Sequence, residues 1–136
     1  MADEKITIPA AASVGASTGP IMSYESVSSV TAATTIVLTA AQLATGIISA
    51  IFSGNPAYTI ALPSGADIAA NPVLSKFDTA GAVFKVLFVV NGSFGNGGCS
   101  IASNMGCTVS GPPTLVPGFS RIVYFIANGN STWNVY

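Results

Sequence analysis

Short runs of β-branched and aromatic residues, separated by turn-forming residues, recur along most of this chain. Each run has the length and composition of a β-strand, and turn signals fall about every 8 to 12 residues between them. The pattern predicts an all-β fold, a jelly-roll-like β-sandwich of about eight strands with one short helix. The predicted strands lie at residues 34–38, 46–52, 58–62, 82–91, 99–102, 107–110, 119–127 and 132–136, with a further piece at 22–27.

The strongest of these runs is 82–91. It is apolar on both faces apart from Lys85. A strand that is apolar on both faces is typical of the centre of a two-layer structure. We expect the ammonium group of Lys85 to reach solvent at a sheet edge or a subunit boundary. Two tight hairpin turns are predicted, at Asn96-Gly97 and around 128–130, because these residues tolerate positive φ.

One segment between the strands has the signals of a short helix. Ser64 is placed to cap its first turn, Asp67 stands at the capping-box position, and Pro72 follows its end. The predicted core is formed by apolar residues of the predicted strands. Its predicted members are Ile36, Leu38, Ile48, Ile60, Leu62, Phe84, Val86, Phe88, Val90, Ile122, Tyr124 and Ile126.

The first 30 residues have a different texture, in which small and polar residues alternate. Such a stretch can bury little apolar surface, so we expect an extended arm that is ordered mainly by its neighbours. The predicted organisation is therefore an arm at 1–30 and one β-sandwich domain at 31–136. The length of the chain fits a single core.

Charged side chains are scarce, with four basic and five acidic residues among 136 and none between Glu25 and Asp67. A weakly charged exterior favours association, because charge keeps a lone monomer dispersed. The four basic residues are scattered, so no stripe exists to neutralise phosphates and we do not expect a nucleic acid partner. This composition predicts a protein that packs against copies of itself.

Little in the chain points to catalysis, so we do not expect an enzyme, a cofactor or a metal site. There is no histidine, and the acidic residues are far apart in sequence. Cys99 and Cys107 flank a predicted turn at 104–106 and could face each other on adjacent strands. We expect two free, half-buried thiols, since the N-terminus lacks the pattern of a secretory signal and indicates the cytoplasm.

Two other functions remain open from the residues alone. Residues 30–52 carry no charge and are long enough to cross a bilayer, although no basic residue flanks them, so a membrane-embedded coat protein is one alternative. The other is a carbohydrate- or receptor-binding head that uses its aromatic residues as a stacking platform. Its candidate residues are Phe119, Tyr124, Trp133 and Tyr136.

Several segments, taken in order, resemble a β-sandwich module found in structural proteins of tailed bacteriophages and large DNA viruses. The resemblance covers residues 34–136 and leaves the arm outside. It is carried by 38–48 (LTAAQLATGII), 58–63 (YTIALP), 84–91 (FKVLFVVN), 109–111 (VSG), 116–120 (VPGFS) and 133–136 (WNVY).

The resemblance implies a compact sandwich, commonly trimeric, that serves as a decoration, fibre, vertex or minor capsid protein and brings no catalytic residues. The leading hypothesis is thus a self-associating, capsid-associated protein that is made in the host cytoplasm and resides in the virion. Its expected partners are its own copies and the major capsid or other virion proteins. For docking we expect the arm at 6–30 and the exposed Thr and Ser faces to matter, since hydroxyls can be buried at lower cost than ions.

Overall fold

The computed structural model describes residues 22, 24, 26–53, 57–92, 98–111, 114–116, 118 and 120–136. These residues form ten β-strands, two short α-helices and a 3₁₀ helix at Leu74–Phe77. The strands are β1 (Ser28–Ala32), β2 (Thr35–Val37), β3 (Ile47–Phe52), β4 (Tyr58–Ala61), β5 (Val83–Asn91), β6 (Cys99–Ala102), β7 (Cys107–Val109), β8 (Thr114–Leu115), β9 (Ser120–Gly129) and β10 (Thr132–Val135). The helices are α1 (Ala40–Leu43) and α2 (Gly65–Ala70).

The strands form two sheets, which confirms the predicted all-β, sandwich-like fold. One sheet has six strands in the order β1-β3-β5-β9-β10-β7, and the other has four in the order β2-β4-β6-β8. All eight strand runs predicted from the sequence are present, and β5 is the third of six strands, as its two apolar faces predicted. The sequence pattern missed β1 and the two-residue β8.

The strand directions differ from those of a jelly roll, which is built from antiparallel strands. From β1 to β6 the chain crosses to the other sheet after every strand. Successive strands of one sheet therefore start at the same end of that sheet. Neighbouring strands in this part of the chain are therefore parallel: β1 with β3, β3 with β5, β2 with β4, and β4 with β6. Antiparallel pairing begins where β9 joins β5 and β10, and where β8 joins β6.

The core lies between the two sheets, and nine of the twelve predicted core residues belong to it. The prediction is wrong for β9, where Ile122, Tyr124 and Ile126 point outward instead. Their neighbours Val123, Phe125 and Ala127 are buried in their place. The register with β5 decides this, because Phe125 lies opposite Phe84 and Val123 lies opposite Val86.

The helix at 64–70 forms as predicted, and a second helix was missed. The Ser64 hydroxyl accepts a hydrogen bond from the Asp67 backbone N–H at 3.1 Å and donates one to the Asp67 carboxylate at 2.7 Å. At α1, Thr39 and Gln42 form a full capping box, a Thr-x-x-Gln signal that the sequence pattern contains.

Turn and arm predictions have mixed outcomes. The last hairpin is confirmed and turns at Asn130 and Ser131, both at positive φ. The Asn96-Gly97 turn lies outside the described residues. No strand forms at the described positions among 22–27, and β1 begins at Ser28, so residues 28–30 belong to the sheet and not to the arm.

Residues 30–52, considered above as a membrane span, fold as β1, β2, α1 and β3. Among the residues that the structure describes, there is no helix both long enough and apolar enough to cross a membrane.

Candidate interaction surface

The six-stranded sheet has one face on the core and one face outward, because successive side chains of a strand point to opposite sides. We call the outward side the outer face. It is formed by Ser29 and Thr31 of β1, by Ile47, Ser49 and Ile51 of β3, by Val83, Lys85, Leu87, Val89 and Asn91 of β5, by Thr108 of β7, by Ser120, Ile122, Tyr124 and Ile126 of β9, and by Asn134 and Tyr136 at the end of the chain.

The outer face is apolar across its central strands. Ile51, Val83, Ile122, Tyr124 and Tyr136 are each exposed by 37 to 46%. Where one face of an antiparallel sheet packs on the core and the other meets water, the face that meets water is ordinarily polar. Lys85 is the one charged side chain among the described residues of this face. The centre of the face is therefore an exposed apolar surface of the kind that forms contacts with other proteins.

A row of aliphatic side chains crosses three strands of the outer face. Ile47 lies opposite Leu87, and Leu87 lies opposite Ile122. Tyr24 stands beside this row, and its hydroxyl donates a hydrogen bond to the Lys85 carbonyl at 3.0 Å. Together these five residues line a groove of about 340 Å³, which we call the outer groove.

Gly46 allows Tyr24 to approach the sheet. Its φ is +79°, and a Cβ there would lie 2.6 Å from the Tyr24 ring, which is closer than side-chain atoms pack. Partial burial raises the pKa of the Tyr24 hydroxyl above its usual range. The chain preceding β1 is therefore held against the outer face at Tyr24.

The four-stranded sheet presents a different surface, on which the predicted Thr and Ser face is found. Thr35, Thr59, Ser100 and Thr114 lie opposite one another in a row across all four strands. Beside this row stands Val37, 71% exposed at the edge of the sheet. The four-stranded sheet thus carries a row of hydroxyls that crosses all of its strands, whereas the row of Ile47, Leu87 and Ile122 across the outer face is aliphatic.

The aromatic candidates for ligand stacking lie on two sides of the six-stranded sheet. Trp133 is fully buried, with its indole N–H directed at the Gly65 carbonyl at 3.5 Å, so a stacking platform that includes it is wrong. Tyr124 and Tyr136 are backbone hydrogen-bond partners with outward side chains. Phe119 lies outside the described residues.

The two cysteines are free and more deeply buried than expected. Cys99 belongs to β6 in the four-stranded sheet and Cys107 to β7 in the six-stranded sheet, so they do not face each other on adjacent strands. Burial raises the pKa of Cys99 to about 12 and that of Cys107 to about 11.

We expect these thiols to make stability fall at alkaline pH. In the unfolded chain they ionise near their ordinary pKa of 9.0, whereas in the folded protein they stay protonated until about 11 to 12. Above pH 9 the unfolded state therefore binds fewer protons, and the free energy of unfolding falls as pH rises. The urea midpoint should be level from pH 7 to 8 and decline above pH 9.

Cys99→Ala is the comparison for this profile, because it removes one of the two titrating thiols and leaves lysines and tyrosines unchanged. Its urea midpoint should decline less steeply above pH 9 than that of the unchanged protein. Parallel profiles for the two proteins would contradict the assignment.

The charged residues that could have taken part in chemistry do not cluster at one site in the described structure. Asp67 is engaged with Ser64 at the start of α2, and Asp78 accepts hydrogen bonds from the Ser131 backbone N–H at 3.0 and 3.2 Å. Lys85 is exposed, as predicted, but on the outer face of the central strand β5 and not at a sheet edge. These acidic residues thus serve local structure, capping a helix and holding a hairpin.

No family model, characterised protein or solved structure matches this chain. The case for its function therefore rests on the two surfaces of the sandwich and on the sequence resemblance described above.

Proposed function

We propose that this protein is a structural subunit that self-associates, and that its copies meet through the outer face of the six-stranded sheet. The observation that carries the proposal is the set of large apolar side chains on that face, among them Ile122, Tyr124 and Tyr136. An apolar area of this kind on an ordinary monomer is unusual and typically marks an interaction site.

The size of the outer face fits such a contact. Six strands of these lengths, at about 3.3 Å per residue and 4.8 Å between strands, cover roughly 600 Å². A stable interface buries about 800 Å² on each partner, so side chains around the sheet would supply the remainder. The net charge of −1 adds little repulsion between copies.

We further propose that the assembly belongs to a virion, as a trimeric decoration, vertex, fibre or minor capsid component. The support is the sequence resemblance over residues 34–136 together with the scarcity of charge. In such a particle most of the subunit surface is covered by other proteins, so the subunit needs few charged side chains to remain soluble.

Ile122→Lys tests the proposed face. A lysine there would place a charge in the middle of the contact, where its desolvation is costly. We expect the unchanged protein to sediment as an oligomer, a trimer under the proposal, at tens of micromolar. The variant should sediment mainly as a monomer with an unchanged far-ultraviolet circular dichroism spectrum.

Val37→Lys is the matched control, since it makes the same change at a more exposed apolar residue of the opposite sheet. It should leave the oligomer intact. If Val37→Lys dissociates the oligomer and Ile122→Lys does not, copies meet through the Thr and Ser face instead. A monomeric unchanged protein would refute self-association altogether.

A further inference from the structure

We infer that the outer groove is the docking site for residues 6–21 of a second copy of this chain. The inference rests on the proposed function and identifies the part of the neighbouring copy that lies on the outer face. It follows from where the described chain begins, from how far the preceding residues can reach, and from their chemistry.

The N-terminal segment joins the described structure at the outer face. Met22 is buried with 6% exposure, and its terminal methyl group lies next to Gly46. Two residues later, Tyr24 forms one wall of the outer groove and bonds to the backbone of β5. The described part of the chain therefore begins beside the groove and not at a distant end of the sandwich.

The length of that segment is sufficient to reach a neighbour. Twenty-one residues before Met22 span up to about 70 Å when extended. The six-stranded sheet is roughly 30 Å across. The segment can therefore leave its own subunit and still lie along the outer face of another.

The composition of the segment matches the groove. From Ile6 to Tyr24 the chain has no charged residue and carries Ala, Val, Ile and Pro among Ser, Thr and Gly. Burying it against Ile47, Leu87 and Ile122 removes apolar surface from water, and the segment itself brings no ion that would lose its hydration. Placed on a second copy, the same burial also joins two subunits, which a segment lying on its own subunit would not do.

Cysteine cross-linking in the full chain tests the inference. One copy carries Ser13→Cys with an affinity tag, and the other carries Ile122→Cys. When the mixed oligomer is oxidised mildly, we expect a disulfide-linked pair of the tagged and untagged chains. Pairing Ser13→Cys with Val37→Cys should give at least tenfold less product, because Val37 lies on the opposite sheet. The native cysteines are buried and should not compete.

A second full-chain variant, Val14→Asp, gives an independent measurement. A charge in the middle of the segment should raise the dissociation constant of the oligomer at least tenfold, whereas Val37→Asp should leave it within twofold. Both variants should retain the far-ultraviolet spectrum of the unchanged protein.

The possible outcomes separate the two proposals. An oligomer that forms normally with Val14→Asp and gives no cross-link overturns the docking of residues 6–21 but leaves self-association standing. A cross-link that forms only within one chain, in a Ser13→Cys/Ile122→Cys double variant, also overturns it. If the unchanged protein is a monomer, the proposed function itself fails.

Discussion

Gly65→Ala is expected to destabilise the protein by about 3 kcal/mol, within the range of severe packing errors. A Cβ at this position would lie 2.1 Å from the Ser131 carbonyl oxygen and 2.9 Å from that of Gly106. Both are backbone atoms of other turns and cannot rotate away. The Gly65 N–H also donates a 2.7 Å hydrogen bond to the Met105 carbonyl, which holds the helix start in place.

This result is the opposite of what helix propensity predicts, because alanine is favoured over glycine within a helix by up to about 1 kcal/mol. The measurement is the free energy of unfolding in urea. Gly81→Ala is the control, since Gly81 has a φ of +87° and open space around it. It should cost only about 1 kcal/mol for the left-handed backbone. Equal losses of unfolding free energy in the two variants would show that the start of α2 does not pack against the Gly106 and Ser131 backbones as described.

Trp133→Ala should cost about 3 to 5 kcal/mol, as expected for truncating a fully buried large aromatic side chain. The indole is inaccessible to water and meets the Phe84 ring edge-on, with ring centroids 5.3 Å apart. Phe84 stacks in turn on Phe125 at 4.6 Å. Removing the indole leaves a cavity at the centre of this cluster and takes away the donor directed at the Gly65 carbonyl.

Urea unfolding followed by circular dichroism measures this loss, and Met105→Ala serves as the control. Met105 is 84% exposed on a turn, so its truncation should change stability by less than about 0.5 kcal/mol. If Trp133→Ala kept its stability and instead lost the ability to bind glycans, the indole would have to be exposed. That outcome would contradict the buried position described here and restore the sugar-binding alternative.

Local sequence signals accounted for most of the elements of this fold. Strand runs were recognisable because β-branched residues cluster between Gly, Pro and Asn. Ser64 marked the start of α2, and the 128–130 turn marked the last hairpin. The segment 39–42 carries a capping-box signal for α1. The pattern still does not distinguish a four-residue helix between two strands from a connecting loop.

The candidate surface was less predictable, because β9 is apolar on both sides. The alternation Ile122-Val123-Tyr124-Phe125-Ile126-Ala127 suits either face as the buried one, so periodicity predicts a strand but not its orientation. Choosing the wrong set assigned Ile122, Tyr124 and Ile126 to the core and concealed the exposed outer face. Tyr24 was likewise hidden, because its contact with Lys85 joins positions 61 residues apart.

The sequence by itself determined that this protein is built from β-strands and carries almost no charge, since both are properties of local composition. Tertiary structure decided which side of β9 is buried, that β1 to β6 alternate between two sheets, and that Ile47, Leu87 and Ile122 form one exposed row across three strands. These features depend on pairing between distant strands, where contacts such as the stacking of Phe125 on Phe84 select the register.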